Sequence, residues 1–149
     1  MTVVEIENPS ARSRLCETVL ADLTDWFGFE EVNAAYVRDV ADLPTFGVGN
    51  DAFLALKLHN PRAAEVYVMG VRRARHREGL GTALVAFAEQ YLRERGVEYL
   101  QVKTLGPSYP DEGYERTRRF YEACGFAPLE EIHGLWEMDN PCLLLVKRL

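Results

Sequence analysis

The feature that most limits what this chain can fold into lies near its middle. Glu65 to Val71 reads Glu-Val-Tyr-Val-Met-Gly-Val, β-branched and aromatic, the composition of a strand. A basic, glycine-containing turn follows, from Arg72 to Gly81. Then Leu80, Leu84, Phe87, Ala88, Tyr91 and Leu92 recur on one face of a helix, and Gly96 closes it. Tyr99 to Thr104 is the next strand. Strand, helix and strand in this order predict two parallel strands joined by a right-handed crossover.

The remaining segments fit around that unit. Val3 to Ile6 is a short apolar strand, and Asn8-Pro9-Ser10 is a break and helix start. Leu15, Val19, Leu20, Leu23, Trp26 and Phe27 keep helical spacing until Gly28. Trp26 and Phe27 are read either as core residues or as part of a lid. A second helix is expected from Glu30 to about Ala41, stopped by Pro44. Phe53 to Leu58 is a strand that pairs antiparallel with 65–71 across the Asn60-Pro61 turn. Gly106 to Gly113 is a polar loop. Thr117, Phe120, Tyr121 and Cys124 mark a short helix ended by Gly125, with strands after Phe126 and at Leu143 to Val146. The expected architecture is an α/β or α+β domain over residues 1–149, with a mixed sheet of six or seven strands and flanking helices.

The turn before the central helix has the chemistry of an anion site. The first N–H groups of a helix lack intrahelical acceptors, and the helix dipole adds positive potential there. Glycine lets the backbone approach a phosphate closely. Arg72, Arg73, Arg75 and Arg77 surround the turn, and guanidinium pairs well with phosphate oxygens. The dinucleotide pattern GxGxxG is incomplete, because Ala83, Leu84 and Val85 stand where a third glycine would fall. No GK[ST] is present, so the turn is not a P-loop.

Composition narrows the classes further. The 149 residues suffice for one core without disulfides. A net charge of −6 argues against a nucleic-acid binder, leaving the arginines of the turn as a local feature. The three cysteines, Cys16, Cys124 and Cys142, form no CxxC pair and read as reduced thiols. His59, His76 and His133 have no metal-binding spacing. The sequence has no signal-peptide pattern and no apolar run long enough for a membrane span, and a cytoplasmic location is expected by default.

With these elements in place, His76-Arg77-Glu78-Gly79-Leu80-Gly81 resembles the coenzyme A pyrophosphate motif of the GNAT superfamily of acyl-CoA-dependent N-acyltransferases. In that motif Arg or Gln is followed by two residues, Gly, one residue, and Gly or Ala. It departs at its first position, where His76 replaces Arg or Gln, with Arg75 and Arg77 beside it. A second match is Phe120-Tyr121-Glu122-Ala123-Cys124-Gly125-Phe126, similar to the family's aromatic-Tyr-x-x-x-Gly-Phe segment. The Asn often found seven residues before that tyrosine is Tyr114 here.

The resemblance covers about residues 50 to 149. It implies a V-shaped cleft between the parallel strands and acetyl-CoA as acyl donor. The implied reaction is direct attack of a primary amine on the thioester, with a homodimer common among relatives. It places the backbone of Met69, Gly70 and Val71 along the pantetheine arm and residues 76 to 82, including Thr82, at the pyrophosphate. Gly70 fits either a bulge or a close backbone approach. The resemblance makes Tyr121 the general acid for the departing thiolate. It makes Glu65, or a water relay, the base for the attacking amine. For the acceptor, the residues leave open Tyr109, Asp111, Glu112 and Tyr114 on one loop and His133, Trp136 and Glu137 on another. The competing reading is a non-catalytic acyl-CoA-binding regulatory module of the same fold.

Overall fold

The strand–turn–helix–strand unit is the centre of the molecule. The computed structural model describes residues 2–149; Met1, the first residue of the expected domain, lies outside them. In chain order the elements are β1 (Val4–Ile6), α1 (Pro9–Ala21), α2 (Glu30–Asp39), β2 (Thr45–Val48), β3 (Ala52–Asn60), β4 (Ala63–Val71), α3 (Leu80–Arg93), β5 (Tyr99–Leu105), α4 (Glu112–Ala123), β6 (Ala127–Ile132) and β7 (Cys142–Arg148). The strands form one seven-stranded sheet in the order β1-β2-β3-β4-β5-β7-β6. Only β4 and β5 pair in parallel, with α3 as their crossover.

Two apolar layers sandwich the sheet. On one face Leu80, Leu84, Val85, Ala88 and Leu92 of α3 and Tyr121 of α4 pack against Leu54, Leu56, Val66, Leu100 and Leu145. On the other face Leu15, Cys16, Val19 and Leu20 of α1 pack against Phe53, Ala55 and Val68, with Tyr36 and Val37 of α2 at the margin. Fully buried leucines of this kind typically cost about 2–5 kcal/mol each when cut to alanine.

Several boundaries differ from the sequence expectation. The apolar spacing running to Phe27 predicts a longer first helix, yet α1 stops at Ala21. From there i→i−3 bonds take over: Asp22 N to Val19 O at 3.1 Å and Leu23 N to Leu20 O at 3.0 Å. Asp22, Thr24 and Asp25 are weak helix formers, and Asp22 spends its carboxylate on the main-chain N–H of Arg73 at 2.7 Å. Conversely, α4 begins at Glu112, earlier than expected, because the Asp111 side chain caps it by accepting from Tyr114 N at 3.0 Å. The four residues of β2 are fully buried on both faces, so they carry no polar–apolar alternation by which to find them.

The β4–β5 ladder sets up the cleft. The two strands pair from Ala63↔Tyr99 to Val66↔Val102 and then separate. At the point of separation the β3–β4 register slips, since Ala55 faces Val68 while Leu56 faces Val66. The extra residue is Tyr67, so the bulge lies there and not at Gly70. The slip also reverses the alternation: Val66 faces α3 while Val68 faces α1. Gly70 is instead a close approach, because a Cβ there would meet Leu23 Cδ1 at 2.9 Å and Val19 Cγ1 at 3.0 Å.

Candidate active site

At the open end of the V, the turn between β4 and α3 presents a row of main-chain donors. Gly79 has φ +81°, a left-handed conformation that costs glycine little, and Arg77 also has positive φ at 67°. This geometry turns the backbone N–H groups of residues 77 to 82 away from internal acceptors. The first bond of the helix is Ala83 N to Gly79 O at 3.0 Å, and the six preceding amides have no protein partner among the described residues. Such a run at a helix start has the donor geometry that suits an anion. Gly81 is needed for a different reason: a Cβ would sit 3.0 Å from Phe120 Cζ, where α4 crosses α3.

The basic side chains are mostly engaged elsewhere. Arg75 binds Asp51 at 2.5 Å and Glu78 at 3.0 Å. Arg73 reaches Asp25 at 2.5 Å and stacks over Trp26, 5.6 Å from its ring. Arg72 lies 3.9 Å from Asp51. Arg77 has no carboxylate partner among the described residues and is the guanidinium left for an anion. His76 is turned back onto β4: its Nε2 lies 2.6 Å from the Val71 carbonyl oxygen. A carbonyl only accepts, so Nε2 carries the proton. The ring also meets Trp26 edge-on, at 5.9 Å between centroids.

Beyond Val66 the β5-facing edge of β4 has no strand beside it, which brings the predicted Met69, Gly70 and Val71 to the wall of the V. Met69 faces the α3 layer, its methyl close to Gly81. Tyr121 projects from α4 into the same layer, between Phe120 and Phe126 with centroids at 5.3 and 5.7 Å. Burial, with lesser effects from Cys124 and Tyr114, holds its phenol well above the usual tyrosine range, so it stays protonated.

On the other face of the sheet, at the root of the V, is a cavity of ≈ 270 Å³ lined by Tyr36, Lys57, His59, Glu65, Tyr67, Lys103, Leu135 and Trp136. Glu65 is its one carboxylate, with its side chain only 9% exposed. Its Oε1 meets His59 Nε2 at 2.7 Å and accepts from Lys103 Nζ at 3.1 Å. Partners of this kind offset the cost of burying a carboxylate. His59 reaches it because β3 slips register a second time between Leu58 and Asn60. Tyr67 donates from its hydroxyl to Asp39 at 2.6 Å, and burial and this bond push its phenol up.

The structure therefore divides the predicted residues between two regions, the turn with Tyr121 on one side and Glu65 on the other. Of the acceptor candidates only Trp136 borders the cavity. Asp111 caps α4, Tyr114 donates to the Trp26 carbonyl at 2.8 Å, and His133 lies 3.0 Å from Glu131. Sequence reasoning missed Tyr36, Lys57, His59, Tyr67 and Lys103. Only Lys57 carried a usable signal, as the residue opposite Glu65 once the register of the expected hairpin is known.

The model of the acetyltransferase (GNAT) family matches residues 50–126, which contain the turn, Glu65 and Tyr121. The chain belongs to the GNAT acetyltransferase family. A solved GNAT-family structure from Desulfovibrio desulfuricans superposes on this GNAT chain with a TM-score of 0.82, covering 99% of it and 98% of that chain at 17% identity. An aminoglycoside 6'-N-acetyltransferase complexed with coenzyme A follows the same fold, with a TM-score of 0.76 at 17% identity over 99% and 97% of the two chains. In sequence, this GNAT protein is 36% identical over 84 residues to a mycothiol acetyltransferase of Beutenbergia cavernae; the match covers 54% of this chain and 26% of that protein. No described helix is long and apolar enough to cross a membrane.

Proposed function

We propose that residues 1–149 form one N-acetyltransferase domain that moves an acetyl group from acetyl-CoA to a primary amine in a ternary complex. The observation that carries this reading is the row of six unpartnered N–H groups at the start of α3, opening onto the V between β4 and β5. Backbone donors and the Arg77 guanidinium suit a pyrophosphate. Phe120, packed on Gly81, keeps α4 and Tyr121 beside that turn.

The chemistry follows from the two faces of the cleft. An amine attacks only when neutral, so Glu65 takes its proton. The amine nitrogen bonds to the thioester carbonyl carbon, and main-chain N–H groups of β4 beyond Val66, where β5 no longer pairs with it, stabilise the oxyanion. When the C–S bond breaks, Tyr121 gives its proton to the leaving thiolate, and the proton that the new amide nitrogen sheds restores the phenol. The raised pKa of Tyr121 suits an acid that must keep its proton until that moment.

Thiol release from acetyl-CoA in the presence of a panel of amines tests the reading. Turnover with at least one amine is expected, and acetyl-CoA binding without turnover on any amine points to a regulatory module instead. Tyr121→Phe should lower kcat by about 100-fold and leave the CoA dissociation constant nearly where it was. Unchanged turnover in that variant removes Tyr121 from the mechanism.

A further inference from the structure

The cavity beside Glu65 carries an excess of positive charge that amine transfer alone does not call for. An acceptor amine is cationic before it loses its proton, and a pocket made only to hold it would gain from carboxylates and aromatic faces. Here two ammonium groups, Lys57 and Lys103, share the wall with one carboxylate. They do so in a chain whose net charge is −6.

The two lysines are not equivalent. Lys103 is bound to Glu65 at 3.1 Å. Lys57 stands directly opposite Glu65 in the β3–β4 register, yet it makes no ion pair with it. Glu65 Oε1 is already held by His59 and Lys103, while Lys57 Nζ lies 5.7 Å from the centre of the Tyr67 ring. Among the described residues Lys57 has no carboxylate partner, and the Tyr67 hydroxyl beside it is spent on Asp39. The pocket thus offers a free cation and a proton-accepting carboxylate on residues about 5 Å apart, the usual spacing of opposed residues in an antiparallel pair. That pairing is complementary to the carboxylate and the amino group of a single small zwitterion. The remaining walls, Tyr36, Leu135 and Trp136, are aromatic and apolar, and ≈ 270 Å³ suits a molecule of amino-acid size.

Resting on the reading of this cavity as the acceptor site, we propose that the acceptor is a free α-amino acid with an apolar or aromatic side chain. Its carboxylate pairs with Lys57, its amine faces Glu65, and its side chain lies against Trp136 and Leu135. Polycationic amines are disfavoured, because each further ammonium group meets two lysines.

Calorimetric titration of the full chain, saturated with CoA, tests this without requiring turnover. The probes are L-phenylalanine, L-leucine and L-methionine, each beside its carboxamide, at one pH and ionic strength. The free carboxylates should bind roughly 10-fold tighter than the amides, as a charge-assisted contact implies. Lys57→Gln should bring that ratio close to one, and Lys57→Glu should invert it. Lys57 is exposed, so these variants should fold, which thermal unfolding checks. Equal or tighter binding of the amides, no binding of either series, or a ratio that survives Lys57→Gln overturns the proposal. Amino acids that bind with this ratio but are not acetylated uphold it and overturn the transfer reaction. Efficient acetylation of amides over acids does the reverse.

Discussion

The turn before α3 and the Glu65 cavity lie at two ends of one cleft and are built on different principles. The turn offers main-chain N–H groups from six consecutive residues, and its shape depends on the left-handed backbone at Gly79 and the start of α3 at Leu80. The cavity offers side chains from α2, β3, β4, β5 and the segment between β6 and β7. A site made of backbone tolerates changes in most of its side chains, apart from Gly79 and Gly81, where conformation and close approach require glycine. A site made of side chains from five segments can change its ligand by single substitutions while the fold stays the same. Under the proposed function, one cleft would hold a constant donor at one end and a variable acceptor at the other.

Glu65→Gln should expose this division most sharply. Replacing the carboxylate removes the proposed base and should lower kcat by about 100-fold or more, while CoA affinity measured by titration stays the same. A matching loss in CoA affinity would mean that the two ends are one coupled site. Gly81→Val is the converse. Its branched side chain collides with Phe120, whose Cζ lies 3.0 Å from the Cβ position, and the shift of α4 against α3 should weaken CoA binding about 10-fold. Acceptor KM should hardly move, and a larger change in KM than in CoA affinity would contradict the separation. The smallest effect is expected for His76→Ala. Its Nε2 is committed to the Val71 carbonyl, so CoA affinity should change by no more than about 3-fold, the scale of an exposed polar contact. A loss as large as that of Gly81→Val would put the imidazole on the phosphates.

The same contrast explains how much was legible beforehand. The turn is a local object: the preceding strand, the glycine spacing and the start of the following helix lie within the seventeen residues from 65 to 81, and each has its own composition. Tyr121 was marked by its short motif. Glu65 and Trp136 were named, but the rest of the lining was not, because Tyr36, Lys57, His59, Tyr67 and Lys103 approach from residues scattered between 36 and 103. Two register slips in β3–β4, at Tyr67 and His59, decide which side chains enter the cavity. A one-residue slip moves a side chain to the other face of a sheet, and nothing in the pattern of Ala63 to Val71 announces where it falls. The arginines point the same way. Four of them beside a turn read as a phosphate cluster, yet three are neutralised by Asp25, Asp51 and Glu78 once the chain is folded.

By itself, the sequence determined the parallel β4–α3–β5 unit, the glycine-bearing turn that opens α3, and the α4 helix that carries Tyr121. These rest on propensity, periodicity and backbone conformation, which act over a few residues. Only the tertiary structure decided that β4 and β5 part after Val66, that Lys57 has no carboxylate partner among the described residues while Lys103 holds Glu65, and that His76 turns back onto β4. Those outcomes depend on strand register and on competition for each carboxylate among groups distant in the chain, and both are settled when the sheet assembles.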